Sequence, residues 1–542
     1  MIINEMAAAR RGVEARLPDF FIQYQNPAAD TDATIVLVKP PIVFSAKAYS
    51  TPITMPIGLA YLAAVLERAR YRVSVVDCPG EGMNQIWQVP GSPYKVQGLD
   101  VEEAIRRIPP SAAIIGVSVM FSQEWPFVRG FVARLRAAFP DARLVLGGEA
   151  ITALPEYTLR DAPGVDCAVL GEGELAFLQV CHAMLAGQPW AQIPGLAFLR
   201  DGVFATTGLS PRLVNLQDYP WPAWHLMPVE TYFQPNFTMG PSRGRNIGIL
   251  ATRGCPYSCT FCSNPSMWTT RYVMRDPHDV VDEIQAYVAR YRVNCVDFYD
   301  LTAIVKKEWI VEFCQALLAR QMAIAWQLPS GTRSEALDAE TLDLLYRTGC
   351  RYLVYAPESG SPDVLKAVKK KLSLTRIADS ILEAKRRGLV VKINLIIGFP
   401  FEHRRDMLKT LAFTWAMAWH GVDDCNIAVF TPYPGSELFR ELRATGEIPT
   451  VDDAYFESLI TQFDFTVPKS LCRHVGAVEI LLYRVGGMVA FYLLSYLRRP
   501  SRLWALVRAA TTRRFEARSL FEQRVSDLFR RHRILRPRQQ AA

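Results

Sequence analysis

Apolar positions along this chain change period in a regular order. Residues 34–38 form a continuous β-branched run, 56–70 carry apolar positions at helical spacing, and 72–77 return to β-branched text. The alternation continues through strands at 113–118, 143–148 and 167–170, with a helix over 125–139 between the first two of these. Repeated strand–helix–strand text of this kind predicts an α/β, doubly wound parallel sheet with helices on both faces. Ligands of such sheets sit beyond the carboxyl ends of the strands. Over 186–245 prolines and glycines become dense, which predicts a linker. Six strand-and-helix units follow, with strands at 246–252, 294–300, 324–328, 352–358, 391–398 and 424–430. Beyond about residue 450 strand text stops and helical text continues. The organisation read from the pattern is a loose leader (1–32), a doubly wound domain (33–185), a linker (186–245), a partial six-unit (β/α) barrel (246–445) and a basic helical C-terminal region (446–542).

Length and composition narrow the setting. A chain of 542 residues is too long for one core. Eleven cysteines scattered through apolar text are not a disulfide scaffold, so a reducing, cytoplasmic compartment is expected. Residues 1–32 have no apolar core segment and are not a secretory signal. The longest apolar run, 485–497, is too short to span a bilayer, so no transmembrane helix is predicted. The net charge of +8 is uneven: from Arg473 onward fifteen arginines face four acids. The tail therefore reads either as a helical lid over the barrel or as a peripheral contact with the inner membrane face. Arginines among helical aliphatic residues are not a stacking platform, so no nucleic-acid partner is expected.

The chemistry is concentrated in Cys255, Cys259 and Cys262, a C-x3-C-x2-C run with no fourth ligand nearby. A structural zinc site wants four closed ligands, and only a distant residue such as His278 could complete one here. Three thiolates on one loop suit a [4Fe-4S] cluster with one open iron. This spacing, with the aromatic Phe261 before the last cysteine, resembles the radical S-adenosylmethionine superfamily. The resemblance implies that the open iron chelates S-adenosyl-L-methionine and that the reduced cluster cleaves it to a 5′-deoxyadenosyl radical. Other patches fit it: Glu358 and Ser359 end the fourth barrel strand, Gly398 to Glu402 resembles the fifth-strand glycine motif, and Thr431 to Glu437 resembles a sixth-strand ending. The family's Gly-Gly-Glu after the second strand is missing; Asp300 is expected to take its role, and Arg333 to pair with a cofactor carboxylate. Phe401 stands where glycine is usual.

The first domain resembles the cobalamin-binding domain, with Asp77, Pro79 and Gly82 at its D-x-H-x-x-G motif, Ser118-Val119-Met120 at S-x-L, then Gly147 and Gly148, and Glu172 after the last strand. Pro79 stands where the cobalt-ligating histidine would be, so no axial imidazole comes from that position. Both likenesses together imply a cobalamin-dependent radical S-adenosylmethionine enzyme that methylates an unactivated carbon or phosphorus of a small molecule, fed by a flavodoxin- or ferredoxin-type one-electron reductant. Two alternatives are an oxidative cyclase resembling the anaerobic magnesium-protoporphyrin ester cyclase, and a non-catalytic cobalamin sensor with a structural cluster. Neither a catalytic side-chain base nor the substrate's identity is read from the sequence.

Overall fold

A computed structural model of the chain describes residues 17–28, 32–47, 53–213, 215–234, 238–333, 336–460, 466–504, 519 and 521–523. The first sheet has the order 203–206, 196–200, 167–169, 143–147, 112–118, 34–39, 72–77. Its five strands from Thr34–Lys39 to Cys167–Val169 run parallel. The strand Thr34–Lys39 shows why helices cover both faces: Ile35 and Leu37 join one apolar core, Val36 and Val38 the other. The order of pairing reverses between Thr34–Lys39 and Ala112–Ser118, which puts a ligand crevice at their carboxyl ends.

The region expected to be a linker contributes to this sheet. Leu196–Arg200 and Val203–Thr206 form an antiparallel hairpin on its edge. Pro194 and Pro211 flank the hairpin instead of interrupting it, so proline density alone misses it. Within the expected leader, Leu17–Gln23 is a helix whose Phe21 is buried in the first core; residues 1–16 lie outside the described residues. A small antiparallel sheet of Ile42–Ser45, Ile86–Gln88 and Tyr94–Gln97 was not legible in the sequence.

The second sheet is an open, all-parallel half-barrel taken in chain order: Asn246–Ile249, Cys295–Phe298, Ala325–Thr332, Cys350–Glu358, Val390–Ile397 and Asp424–Val429. The first and sixth strands are its two edges. Helix Ala477–Arg498 lies along the sixth strand and beside helix Arg404–Trp419. By length and composition alone this 22-residue helix is long and apolar enough to cross a membrane; the apolar run read from the sequence starts only at 485, after Arg484. Gly487 lets it approach closely: a Cβ there would come 2.5 Å from Leu411. Trp415 donates its indole N–H to the Gly487 carbonyl at 3.2 Å, and Tyr492 donates to Asp424 at 2.6 Å. Arg502, almost wholly buried, then joins Ser495, the Asp423 carbonyl and Glu522. The rest of the expected second tail helix, from residue 505 to 518, lies outside the described residues.

Candidate functional site

The first barrel strand ends at Ile249, and a short strand, Thr252–Arg253, leads into Gly254 and the cysteine loop. Asp300 holds that strand end. It is fully buried, and its carboxylate accepts from the Ala251 N–H at 3.1 Å and from the Thr252 hydroxyl at 2.6 Å, with the Thr252 N–H as well. Burial pushes its carboxyl up to about 6 against those hydrogen bonds. Asp300 is therefore a brace for the loop's entry, a role the sequence reading did not give it: Oδ1 accepts from Ala251 and Thr252, while Oδ2 takes only the shared Ala251 N–H at 3.3 Å.

Cys255, Cys259 and Cys262 are all free and partly exposed on this loop. The Thr260 N–H donates to the Val368 carbonyl at 3.1 Å and the Leu438 N–H to the Thr260 carbonyl at 2.9 Å, so the loop is tied to segments after the fourth and sixth strands. Burial pushes the Cys262 thiol up to about 12 and raises that of Cys259. Both are neutral thiols until a cation arrives, as metal-ligating cysteines in a metal-free protein should be. Among the described residues no three His, Cys, Asp or Glu side chains converge on a single ion. His278, the distant candidate for a fourth zinc ligand, lies 3.5 Å from Glu312. Thiols spread along one loop fit a multi-iron cluster, in which each takes a different iron.

Around the loop stand several residues expected from the sequence. Phe261 packs on Phe399, their ring centroids 5.9 Å apart, which joins the loop to the fifth-strand motif. Gly398 there has φ +85°, a conformation that glycine adopts without strain. Arg333 is buried with its guanidinium carbon 3.5 Å from the Tyr257 ring centroid, and it donates to the Lys371 carbonyl at 3.0 Å. Its Nε has no hydrogen-bond partner among the described residues. Glu358 has φ +65°, uncommon for a residue with a side chain, and pairs with Lys370 at 2.8 Å. Ser359 is a correction: its hydroxyl lies 3.0 Å from that of Thr410 and accepts from the Ser361 N–H at 3.1 Å, so it holds its own turn.

Lys370 is the residue sequence reasoning missed, and Glu402, named there only as the end of the fifth-strand motif, has a structural role of its own. Burial opposes the Lys370 charge, but the Glu358 carboxylate works against it and the Lys370 pKa is raised. Glu402 accepts from the Gly398 and Phe399 N–H groups at 2.6 and 3.1 Å, shaping the fifth-strand turn. Burial pushes its carboxyl up to about 7 from 4.5. The folded protein thus favours the neutral acid, a contribution present below about pH 4.5 and lost as pH rises through 7. Glu402→Gln, which fixes the neutral form, should change stability by under about 1 kcal/mol at pH 5 and stabilise by about 3 kcal/mol at pH 8, read from urea midpoints across pH.

In the first domain the Asp77 carboxylate is buried and accepts from the Gly80 N–H at 3.2 Å and the Tyr232 hydroxyl at 2.7 Å. Burial pushes it up to about 6. The aspartate thus holds the segment before the barrel. Pro79 is buried in the short helix Cys78–Glu81. Gly82 is needed for close packing, since a Cβ would come 2.2 Å from the Leu99 nitrogen; this corrects its reading as a groove residue. Ser118 pairs in register with Gly147 at the strand ends. A Cβ on Gly147 would meet only the Val169 carbonyl, at 3.9 Å, so this position faces open space. Gly148, at φ +109°, turns into helix Glu149–Ala153. Glu172 is a further correction: it is buried between Arg212 and Arg253, the latter at 3.2 Å, while Arg253 also holds Glu174 at 2.6 Å. It ties the first domain to the residues just before Cys255.

The two halves of the site meet directly. Ser263, next to Cys262, donates to Glu149, next to Gly148. Ser266 donates to the Gly435 carbonyl of the sixth-strand ending. The glycine pair of the first sheet, the cysteine loop and the sixth-strand ending therefore form one mouth.

Two segments of the chain match known families. Residues 249–414 match the Radical SAM superfamily and residues 46–180 match the B12 binding domain. An uncharacterized methyltransferase of Pyrococcus horikoshii is 26% identical over 85% of this chain and 92% of its own. The cytidylyl-2-hydroxyethylphosphonate methyltransferase of Streptomyces wedmorensis is 28% identical over 74% and 80%. The anaerobic magnesium-protoporphyrin IX monomethyl ester cyclase of Rubrivivax gelatinosus is 30% identical over 56% and 54%. The fold matches that of the methyltransferase TsrM from Kitasatospora setae, solved with cobalamin and a [4Fe-4S] cluster, with a TM-score of 0.65 at 16% identity, covering 93% of this chain and all of that one.

Proposed function

Because this chain belongs to the cobalamin-binding radical S-adenosylmethionine enzymes, we propose that it methylates an unactivated carbon, or a phosphorus centre, of a small molecule. The observation that carries the reading is the Ser263–Glu149 contact, which brings the strand ends of the first sheet against the cysteine loop. When bound, the [4Fe-4S] cluster with S-adenosyl-L-methionine supplies a hydrogen-abstracting radical, and cobalamin supplies the methyl group.

The chain's own residues would act as follows. Cys255, Cys259 and Cys262 would ligate the cluster. Arg333, with its buried and unpartnered Nε, would take the carboxylate of S-adenosyl-L-methionine, and Glu358 would exchange Lys370 for its ammonium or ribose hydroxyls. Phe261 and Phe399 would wall the adenine side from water. Gly147, open above its backbone, would admit the cobalamin tail beside Ser118, and Pro79 offers no donor for an axial bond. Removing a hydrogen atom rather than a proton requires no side-chain base. Electrons would come from a flavodoxin- or ferredoxin-type donor, and the C-terminal region would make a peripheral membrane contact.

The test is anaerobic turnover with a reductant, S-adenosyl-L-methionine and bound cobalamin, read by mass spectrometry. S-adenosylhomocysteine and 5′-deoxyadenosine should form together. Deoxyadenosine alone would favour the second reading that the cyclase relative supports, an oxidation or ring closure without methyl transfer. Neither product from the loaded protein would overturn both.

A further inference from the structure

The outer face of helix Ala477–Arg498 is apolar where a water-facing helix should be polar. Val478, Leu482, Val489, Leu493 and Leu497 are 61, 66, 52, 58 and 75% exposed. They recur every four, seven, four and four residues, a single stripe at helical period, and exposed Gly486 fills the longer gap. From Val478 to Leu497 the stripe is about 28 Å long. No charge interrupts it: Arg484 is on the buried face, and Glu479 is held by Arg404 and Tyr483. Helix Arg404–Trp419 runs parallel beside it, as the Arg404–Glu479, Trp415–Gly487 and Gly421–Arg499 contacts show, and exposes Leu408 and Trp419. Trp504, 74% exposed, follows just beyond. Apolar surface this continuous marks a contact surface.

Its rim is basic. Arg405 and Lys409 are exposed at one end, beside Asp406 and Asp363, and Arg498 is exposed at the other. From residue 503 onward the sequence carries ten arginines against three acids, all ten arginines lying outside the described residues. A second copy of the chain, docked by a two-fold axis, would set this cationic rim against itself. A bilayer with anionic headgroups accepts both features at once. We propose that the face formed by Val478, Leu482, Val489, Leu493 and Leu497 lies in the interface of an anionic membrane, its apolar stripe at the acyl boundary and its arginines among the headgroups. This deepens the peripheral contact named above and rests on it, not on the methyl-transfer reading.

Co-sedimentation of the full chain with phosphatidylcholine vesicles, with and without about one third phosphatidylglycerol, tests it. The protein should pellet with the anionic vesicles, stay largely in solution with the neutral ones, and be released by salt. Leu482→Glu with Leu493→Glu should lower the pelleted fraction by at least about tenfold, with the thermal midpoint and cobalamin binding unchanged because both side chains face outward. Leu497→Glu, at the most exposed position, should give a smaller loss in the same direction. Failure to pellet with anionic vesicles would overturn the proposal, as would equal pelleting of wild type and both variants. A concentration-dependent dimer that these substitutions dissociate, without lipid binding, would assign the face to a second copy instead. Turnover in detergent-free solution is read separately, so a failed membrane contact and a failed reaction assignment are distinguishable.

Discussion

Cys259→Ala is expected to abolish the visible absorption of an iron–sulfur cluster and to reduce both 5′-deoxyadenosine and S-adenosylhomocysteine to background. Two remaining thiolates cannot replace a third that supplies its own iron, and the loop offers no other soft donor between Arg253 and Ser263. The loss should be confined to the cluster. Cys259 is partly exposed, and the loop's ties run through the Thr260 backbone, so the apo protein's thermal midpoint should stay close to wild type. Cys350→Ala makes the informative contrast. Cys350 is fully buried in the first core, so its removal should cost stability and leave iron content intact. A Cys259→Ala protein that still carries a full complement of iron would sink the ligand assignment.

Arg253→Leu should have the largest effect on stability. Arg253 is buried between Glu172 and Glu174, and its guanidinium stands 4.8 and 4.9 Å from the ring centroids of Tyr61 and Tyr219. Removing it leaves two carboxylates in a place without water. Arg212 remains on Glu172 alone. Breaking a buried pair in this one-sided way costs about 3–5 kcal/mol. The expected result is a large fall in the urea midpoint, with cluster loading reduced as well, because Arg253 lies two residues before Cys255. An Arg253→Leu protein as stable as wild type would show that the two carboxylates find other partners.

What was legible in the sequence was what is local. The cysteine spacing, the strand text and the glycines that end strands each sit within a few residues of one another. The alternation of Ile35 and Leu37 with Val36 and Val38 needs only the pleat to predict two covered faces. The residues whose roles the structure adds or corrects share the opposite property. Asp300 finds Thr252 48 residues back, Ser359 finds Thr410 51 residues on, and Glu172 finds Arg212 and Arg253 40 and 81 residues on. A carboxylate or hydroxyl at a strand end looks the same in sequence whether it awaits a cofactor or already holds another loop. Lys370 was hidden differently. Lys369, Lys370 and Lys371 are three like residues in a row, but the fold separates them: Lys369 pairs with Glu437, Lys370 turns inward to Glu358, and Lys371 gives its carbonyl to Arg333. The hairpin Leu196–Thr206 went unread because prolines surround it.

The way the half-barrel ends also bears on how the chain is made. Its sixth strand is an edge, and Tyr492 and Arg502, with Glu522 behind it, close over that edge through Asp424 and the Asp423 carbonyl. During synthesis Asp424–Val429 leaves the ribosome long before Glu522 does. Through that interval the nascent sheet carries an unpaired row of backbone groups. The newborn protein should accordingly depend on chaperone shelter until its last segment arrives, and chains stalled or cut before Arg502 should be found in aggregates rather than as shortened enzymes.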